Sequence, residues 1–191
     1  MRIAHVIEVA VLDYMRDAHP ELFASFQEDT AWLLNHIERL EVRIASDREA
    51  RLSIYEAAHA NIEAPTISLG TARAAAIVAG YYSLDFDNTA LPGLVIIEEP
   101  DTALNPGLLS KFVSLLRDYT SDPEKPRQFI MTTHNPSFLS LFQPEEVRVV
   151  SRDDDGYTKV EPIPSHIKEV WLDEYGLGEV WSTRSFGGLP D

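Results

Sequence analysis

The run Leu94-Val95-Ile96-Ile97-Glu98-Glu99-Pro100-Asp101 decides how the chain is read. Four consecutive branched apolar residues, led into by a loop at Asp85–Gly93, are the pattern of a parallel strand buried on both faces. Two carboxylates follow at its C-terminal end, the end where α/β sheets carry their ligands. Successive side chains of an extended segment point to opposite sides, so Glu98 and Glu99 can serve different partners. On residue type alone their roles are interchangeable, and solvent-facing acids at a strand end would look the same.

Downstream, Asn105-Pro106 supplies an N-cap and a first-turn proline. The helix after them carries Leu108, Leu109, Phe112, Val113, Leu115, Leu116 and Tyr119 and ends before Asp122-Pro123. Phe129-Ile130-Met131 is a second buried strand, closed by Thr132-Thr133-His134-Asn135-Pro136. A histidine there can bond a terminal phosphate or cap the helix that starts at Pro136 or Ser137 and runs to Phe142. Val147–Ser151 and Tyr157–Ile163 flank Asp153-Asp154-Asp155-Gly156, a hairpin turn. A last helix is expected over Ser165–Tyr175, stopped at Gly176, with a loose tail after Trp181.

Upstream, Ser68-Leu69-Gly70-Thr71 opens a small-residue helix from Ala72 to about Ser83. Its backbone N–H groups and hydroxyls suit either an anion or an ordinary helix cap. Ala74-Ala75-Ala76 reads as close helix packing. Before it, Ile3, Val6, Ile7, Ala10, Val11 and Tyr14 form one face of a helix that stops near His19-Pro20. A second helix is expected over Thr30–Leu40, with Leu33, Leu34, Ile37 and Leu40 on its inner side. Leu40–Ala45 and Arg51–Tyr55 read as a hairpin. Strand, helix, strand, helix, strand is the order of a parallel α/β sheet, and a boundary falls near Glu63-Ala64-Pro65.

The 191 residues carry 16 Lys+Arg against 31 Asp+Glu, a net charge of −15. Such a surface excludes a sequence-independent binder of DNA or anionic membranes. With 45% hydrophobic and 25% charged residues the composition is globular. The absence of cysteine removes disulfides, thiolate metal sites and Cys nucleophiles, and suits a cytoplasmic protein. The histidines have no zinc-ligand spacing. No apolar stretch approaches the roughly 20 residues of a membrane span. Met1 to Leu12 has the look of a signal peptide, but Glu8 interrupts it and no small-residue cleavage site follows cleanly, so it is read as mature protein.

Taken in order, Ser68-Leu69-Gly70-Thr71, Glu98-Glu99-Pro100-Asp101, Leu104-Asn105-Pro106 and Thr133-His134 resemble the second half of an ABC-type ATPase. The nearest likeness is to the soluble SMC/RecF-like group of AAA-type ATPases, over about Thr66 to Phe186. The resemblance implies a partial P-loop NTPase lobe of α/β class at residues 66–191, preceded by a helical and hairpin segment of the ATPase arm at residues 1–65. It implies a signature motif in which Ser68, Gly70 and Thr71 contact the γ-phosphate of ATP held by another subunit. Glu98 would serve Mg²⁺ and Glu99 would be the catalytic base. Asn105 and Pro106 would lie in a D-loop across a head-to-tail dimer, and His134 would be the switch. Glu98 stands where Asp is commoner, and Asn105 where this group often has His.

No glycine in the chain is followed by lysine, so the Gly-rich loop ending in Gly-Lys-Ser/Thr does not occur. Two like charges ~4 Å apart repel by about 1 kcal/mol in water and ~4 kcal/mol at an effective dielectric of 20. Glu98, Glu99 and Asp101 therefore oppose a triphosphate unless Mg²⁺ and a cationic loop are supplied. The expectation is an ATPase only when complemented by a P-loop-bearing subunit or second ATPase copy, reaching nucleic acid only within a larger complex. A non-catalytic interaction module and an unrelated Mg²⁺-dependent hydrolase are the alternatives.

Overall fold

The computed structural model describes residues 2–44, 50–56, 59–63, 68–87, 92–165, 167, 175–183 and 185–186. The chain forms two compact units, Met1–Met131 and Thr132–Asp191. The boundary expected near Glu63-Ala64-Pro65 falls beside residues 64–67, outside the described residues.

In the first unit, α1 (Arg2–Ala18) and α2 (Pro20–Leu33) precede an antiparallel meander of β1 (Ile37–Ile44), β2 (Ala50–Glu56) and β3 (His59–Glu63). Then come α3 (Leu69–Ser83), β4 (Gly93–Ile97), a 3₁₀ turn at Pro106–Leu108, α4 (Leu109–Thr120) and β5 (Arg127–Met131). β4 and β5 are parallel, with Gly93 opposite Arg127 and Ile97 opposite Met131. This is the strand–helix–strand order expected of an α/β fold.

The second helix starts ten residues earlier than its apolar spacing suggested. Pro20 was read as the stop of α1, yet a proline suits the first turn of a new helix, where its missing N–H is not needed. Leu33, Leu34, Ile37 and Leu40 are all buried, but they divide between the end of α2, a turn and β1. β3 went unread, since His59-Ala60-Asn61-Ile62-Glu63 has little strand composition.

α3 works as its small residues predict. Ala72, Ala74, Ala75, Val78 and Ala79 are buried where the helix meets α1 and α2. Asp29 of α2 binds both neighbouring helices, accepting hydrogen bonds from the Tyr82 hydroxyl of α3 (2.5 Å) and the Tyr119 hydroxyl of α4 (2.6 Å). The Tyr81 and Tyr119 rings stack at 3.6 Å between centroids, and both stack on Phe129 of β5. α3 and α4 thus cover the same face of the β4–β5 pair.

The opposite face is open, which corrects the expectation of strands buried on both sides. Leu94, Ile96 and Ile130 are 50%, 71% and 46% exposed. Parallel strands are apolar on two faces because they are normally covered on two. Among the described residues, helices stack against only one.

In the second unit a short helix, Pro136–Leu139, leads to the antiparallel hairpin of β6 (Arg148–Arg152) and β7 (Thr158–Pro162). Its turn closes through the Gly156 N–H to the Asp153 carbonyl (2.9 Å), with Gly156 at φ 85° as the Asp-Gly signal predicts. Most of the helix expected over Ser165–Tyr175 lies outside the described residues. Gly176, read as its stop, is instead the N-cap of a helix at Leu177–Ser182. Leu177, Val180, Trp181 and Phe186 bury themselves with Leu139 and Ile163, and the Gly- and Pro-bearing end of the tail, residues 187–191, lies outside the described residues.

Candidate functional site

Glu98 leaves β4 exposed at the strand end, and its carbonyl oxygen accepts a hydrogen bond from the Arg73 guanidinium of α3. Glu99 sits at φ 44°, in the left-handed region that costs a non-glycine residue roughly 1–2 kcal/mol. Its backbone is held by the Thr102 N–H to its carbonyl (3.0 Å), and its carboxylate accepts from the Thr102 hydroxyl (3.0 Å). Asp101 is buried, and its carbonyl accepts from the Leu104 N–H (3.1 Å). Ala103 lies at φ 68°, so two left-handed non-glycine residues occur within five positions. Strain of this kind clusters at functional sites because the surroundings must over-determine it.

Beyond Leu104, the Asn105 carboxamide oxygen accepts from the Gly107 N–H (2.9 Å), and Pro106 begins the 3₁₀ turn ahead of α4. The cap read from Asn105-Pro106 is therefore present. Across from it, Ser68 caps α3. Its hydroxyl accepts from the Thr71 N–H (3.1 Å) and donates to the Thr71 hydroxyl (2.8 Å). The two segments touch: a Cβ placed on Gly70 would overlap the Ala103 carbonyl oxygen.

Between them opens a cavity of about 410 Å³, within the range of small-ligand pockets (about 300–1,000 Å³). Ser68, Gly70, Thr71 and Asn105, separated by some 35 positions in sequence, all line it. Pro106 shapes the adjoining turn without lining it, and Glu98 and Glu99 lie on the loop that leads to it. A third wall comes from Asn35 and His36, which no motif had marked. The signal was obscured because Leu34 and Ile37 were read as one helical face, which hid the turn between them. Arg73 was missed as well, since one arginine inside an alanine-rich helix has no motif of its own.

His134 belongs to the second unit and is exposed. Its neighbours are set by local bonds: the Thr133 hydroxyl accepts from the Asn135 N–H (3.0 Å), and the Asn135 carboxamide accepts from the Ser137 N–H (3.0 Å), capping the helix at Pro136. Among the described residues no three His, Asp or Glu side chains gather as a metal cage. Mg²⁺ commonly keeps several waters and takes one or two carboxylates plus substrate phosphates.

A family model described as "AAA domain, putative AbiEii toxin, Type IV TA system" matches residues 4–140. That span covers the helical arm, the meander, the cavity, β4 and β5. The chain belongs to this AAA-domain family.

Solved SMC heads share the fold of the AAA-domain chain. An SMC ATPase described for ATP-driven dimerization and DNA-stimulated activation is 15% identical, with a TM-score of 0.60, covering 84% of this chain and 94% of that one. An Smc head bound to the C-winged helix domain of ScpA is 19% identical at a TM-score of 0.58, covering 81% of this chain and 46% of that one. The SMC head domain from Thermotoga maritima is 17% identical at 0.52, covering 82% and 52%. The chain thus spans about half the length of the latter two. At these identities the likeness is one of fold, a P-loop NTPase-like architecture with a parallel sheet. The comparison with curated proteins finds no match. Among the described residues no helix is long and apolar enough to cross a membrane.

Proposed function

We propose that this AAA-domain chain is one half of a composite ATPase site, working against a subunit that carries a P-loop. The observation that carries the reading is the joint cavity of the α3 start and the Ala103–Leu108 segment, reached by the strained loop that bears Glu98 and Glu99. Membership of an AAA-domain family and the fold of SMC heads support it.

In this reading Ser68, Gly70 and Thr71 face the terminal phosphate of ATP bound to the partner, and Asn105 and Pro106 form the neighbouring contact. Mg²⁺, when bound, would offset charge on the phosphates, and Glu98 would hold it. Glu99 orients the attacking water and takes its proton as the water oxygen bonds to the γ-phosphorus and the bond to the bridging oxygen breaks. His134 contacts the γ-phosphate and responds to its loss. A head-to-tail arrangement fits the reading, as does ATP-driven dimerization of the kind described for the SMC ATPase. Contact with nucleic acid would then come through the larger assembly, given the charge of −15.

The test is Mg-ATP calorimetry and phosphate release, first on the chain alone and then with a P-loop-bearing AAA-domain protein. The chain alone should show neither micromolar binding nor turnover, and the mixture should show both. Turnover by the purified chain alone would overturn the half-site. The exposed Leu94, Ile96 and Ile130 favour a second reading, an interaction module that keeps the lobe's surface without hydrolysis. Binding to the P-loop partner with no ATP turnover would select it.

A further inference from the structure

The cavity beside Gly70 has a wall that the ATPase motifs do not account for. Leu34-Asn35-His36-Ile37 is a tight turn closed by the Ile37 N–H to the Leu34 carbonyl at 2.7 Å. Its outer residues, Leu34 and Ile37, are 1% and 4% exposed and act as buried anchors. The two central residues, Asn35 and His36, are exposed and line the cavity. A turn fixed at both ends presents its central side chains with little conformational freedom left to lose, which is the condition for a positioned contact.

The lining holds polar side chains and no carboxylate. The chain has 31 acidic residues, yet none of the eleven that line this cavity is Asp or Glu. His36 is its one titratable member. On the facing walls, the Ser68 hydroxyl is already committed to Thr71, and the Asn105 carboxamide oxygen to the Gly107 N–H. The imidazole of His36 and the carboxamide of Asn35 are therefore the side chains placed to donate to a ligand from the third wall.

We infer that Asn35 and His36 are specificity residues for the phosphate chain of a nucleoside triphosphate, hydrogen-bonding its terminal phosphate from the side opposite Ser68 and Thr71. The inference rests on the half-site reading and extends it. It gives the cavity a means of distinguishing a triphosphate from a diphosphate, because a donor pair set to reach the third phosphate has no acceptor when that phosphate is gone.

The experiment uses the whole chain and sodium tripolyphosphate as probe, with pyrophosphate and Mg-ATP run alongside, read by NMR at the Asn35 backbone amide and the His36 imidazole. With Mg²⁺ present, tripolyphosphate in the millimolar range should move both signals saturably, and pyrophosphate at least fivefold more weakly. His36→Ala and Asn35→Ala should each weaken tripolyphosphate binding about fivefold or more, and His36→Gln, which keeps a donor, should recover part of it. Both positions are exposed, and far-UV circular dichroism checks that the variants keep the fold. No saturable shift in the parent chain overturns the inference, while the half-site reading still stands on its own hydrolysis test. Binding lost in Ser68→Ala but retained in His36→Ala and Asn35→Ala overturns the inference and supports that reading. Binding retained in all three variants overturns the inference and counts against the cavity as the phosphate site. A response to Mg-ATP without one to tripolyphosphate overturns the phosphate assignment, because the contact would then be to base or ribose.

Discussion

Gly70 lies directly beneath Ala103, with no room for a methyl group between the glycine and the Ala103 carbonyl. One residue opens α3 and the other is a left-handed member of the loop that carries the acids, so this contact joins the two walls of the cavity. Gly70→Ala sets two effects against each other. Alanine in a helix is favoured over glycine by about 1 kcal/mol. Overpacking against backbone costs about 1–3 kcal/mol and cannot be relieved by a rotamer change. The variant should be net destabilised by up to about 2 kcal/mol, seen as a lower urea midpoint at unchanged slope. A more stable Gly70→Ala would mean that the loop yields freely.

Glu98 and Glu99 should separate in a reconstituted complex with a P-loop-bearing partner. Glu98→Gln removes a charge that Mg²⁺ needs and should weaken Mg-dependent nucleotide binding. Glu99→Gln should leave binding largely intact while turnover falls about 10²–10⁴-fold, the usual worth of a general base. His134→Ala should likewise lower turnover more than binding. Paired affinity and single-turnover measurements decide it, and parental hydrolysis by Glu99→Gln would remove the base from the mechanism. Glu99→Gly, which relieves the left-handed glutamate, should unfold at no lower urea concentration than the parent while losing turnover.

Alkaline pH should loosen the first unit. Burial, reinforced by the hydrogen bond to Asp29, raises the Tyr82 and Tyr119 hydroxyls well above the ordinary 10.0, and burial also raises Tyr81. Below pH 10.0 these tyrosines are neutral in folded and unfolded chains alike, and their contribution is fully present. Above it the unfolded chain ionises first, so stability falls as pH rises, by up to about 1.4 kcal/mol per pH unit for each such tyrosine. Tyr119→Phe should shallow that decline between pH 10 and 11 by roughly one proton's worth. An unaltered pH slope in urea titrations would count against the Asp29 cluster as its source.

The open face of the β4–β5 pair should make the isolated chain self-associate or bind an apolar dye. Replacing Leu94, Ile96 and Ile130 together with Thr keeps strand propensity and removes apolar surface. The triple variant should sediment as a monomer and lose most of the dye signal. Its stability should stay within about 1–2 kcal/mol of the parent, as each exposed change contributes about 0.5 kcal/mol or less. Parent chain that is monomeric and dye-silent at high concentration would show that this face tolerates water.

How much of this was legible in the sequence differs by element. The run Leu94–Ile97 and the caps at Ser68 and Asn105 act through neighbours in the chain, so local pattern was enough to find them. α2 was misplaced because Pro20 can end one helix or begin the next, and only packing decides between them. The uncovered face of Leu94 and Ile96 could not be read at all, since an apolar strand looks the same whether or not its second cover is present. The cavity's third wall was hidden for a similar reason. Asn35 and His36 matter through two buried anchors, Leu34 and Ile37, whose burial is a tertiary fact.

Gly178 carries a last consequence. A Cβ there would overlap the Pro136 carbonyl group, and its N–H donates to the Ser140 hydroxyl at 3.0 Å. The helix Leu177–Ser182 is thus pressed against the segment that begins two residues after His134. That makes the helix a splint for the segment after the histidine, and under the half-site proposal any lever on its outer side becomes a lever on His134. A side chain larger than hydrogen at position 178 would act as a wedge. If the half-site proposal holds, Gly178→Ala should change the rate of phosphate release by the complex reconstituted with a P-loop-bearing partner, read in a phosphate-release assay, without touching a residue of the site.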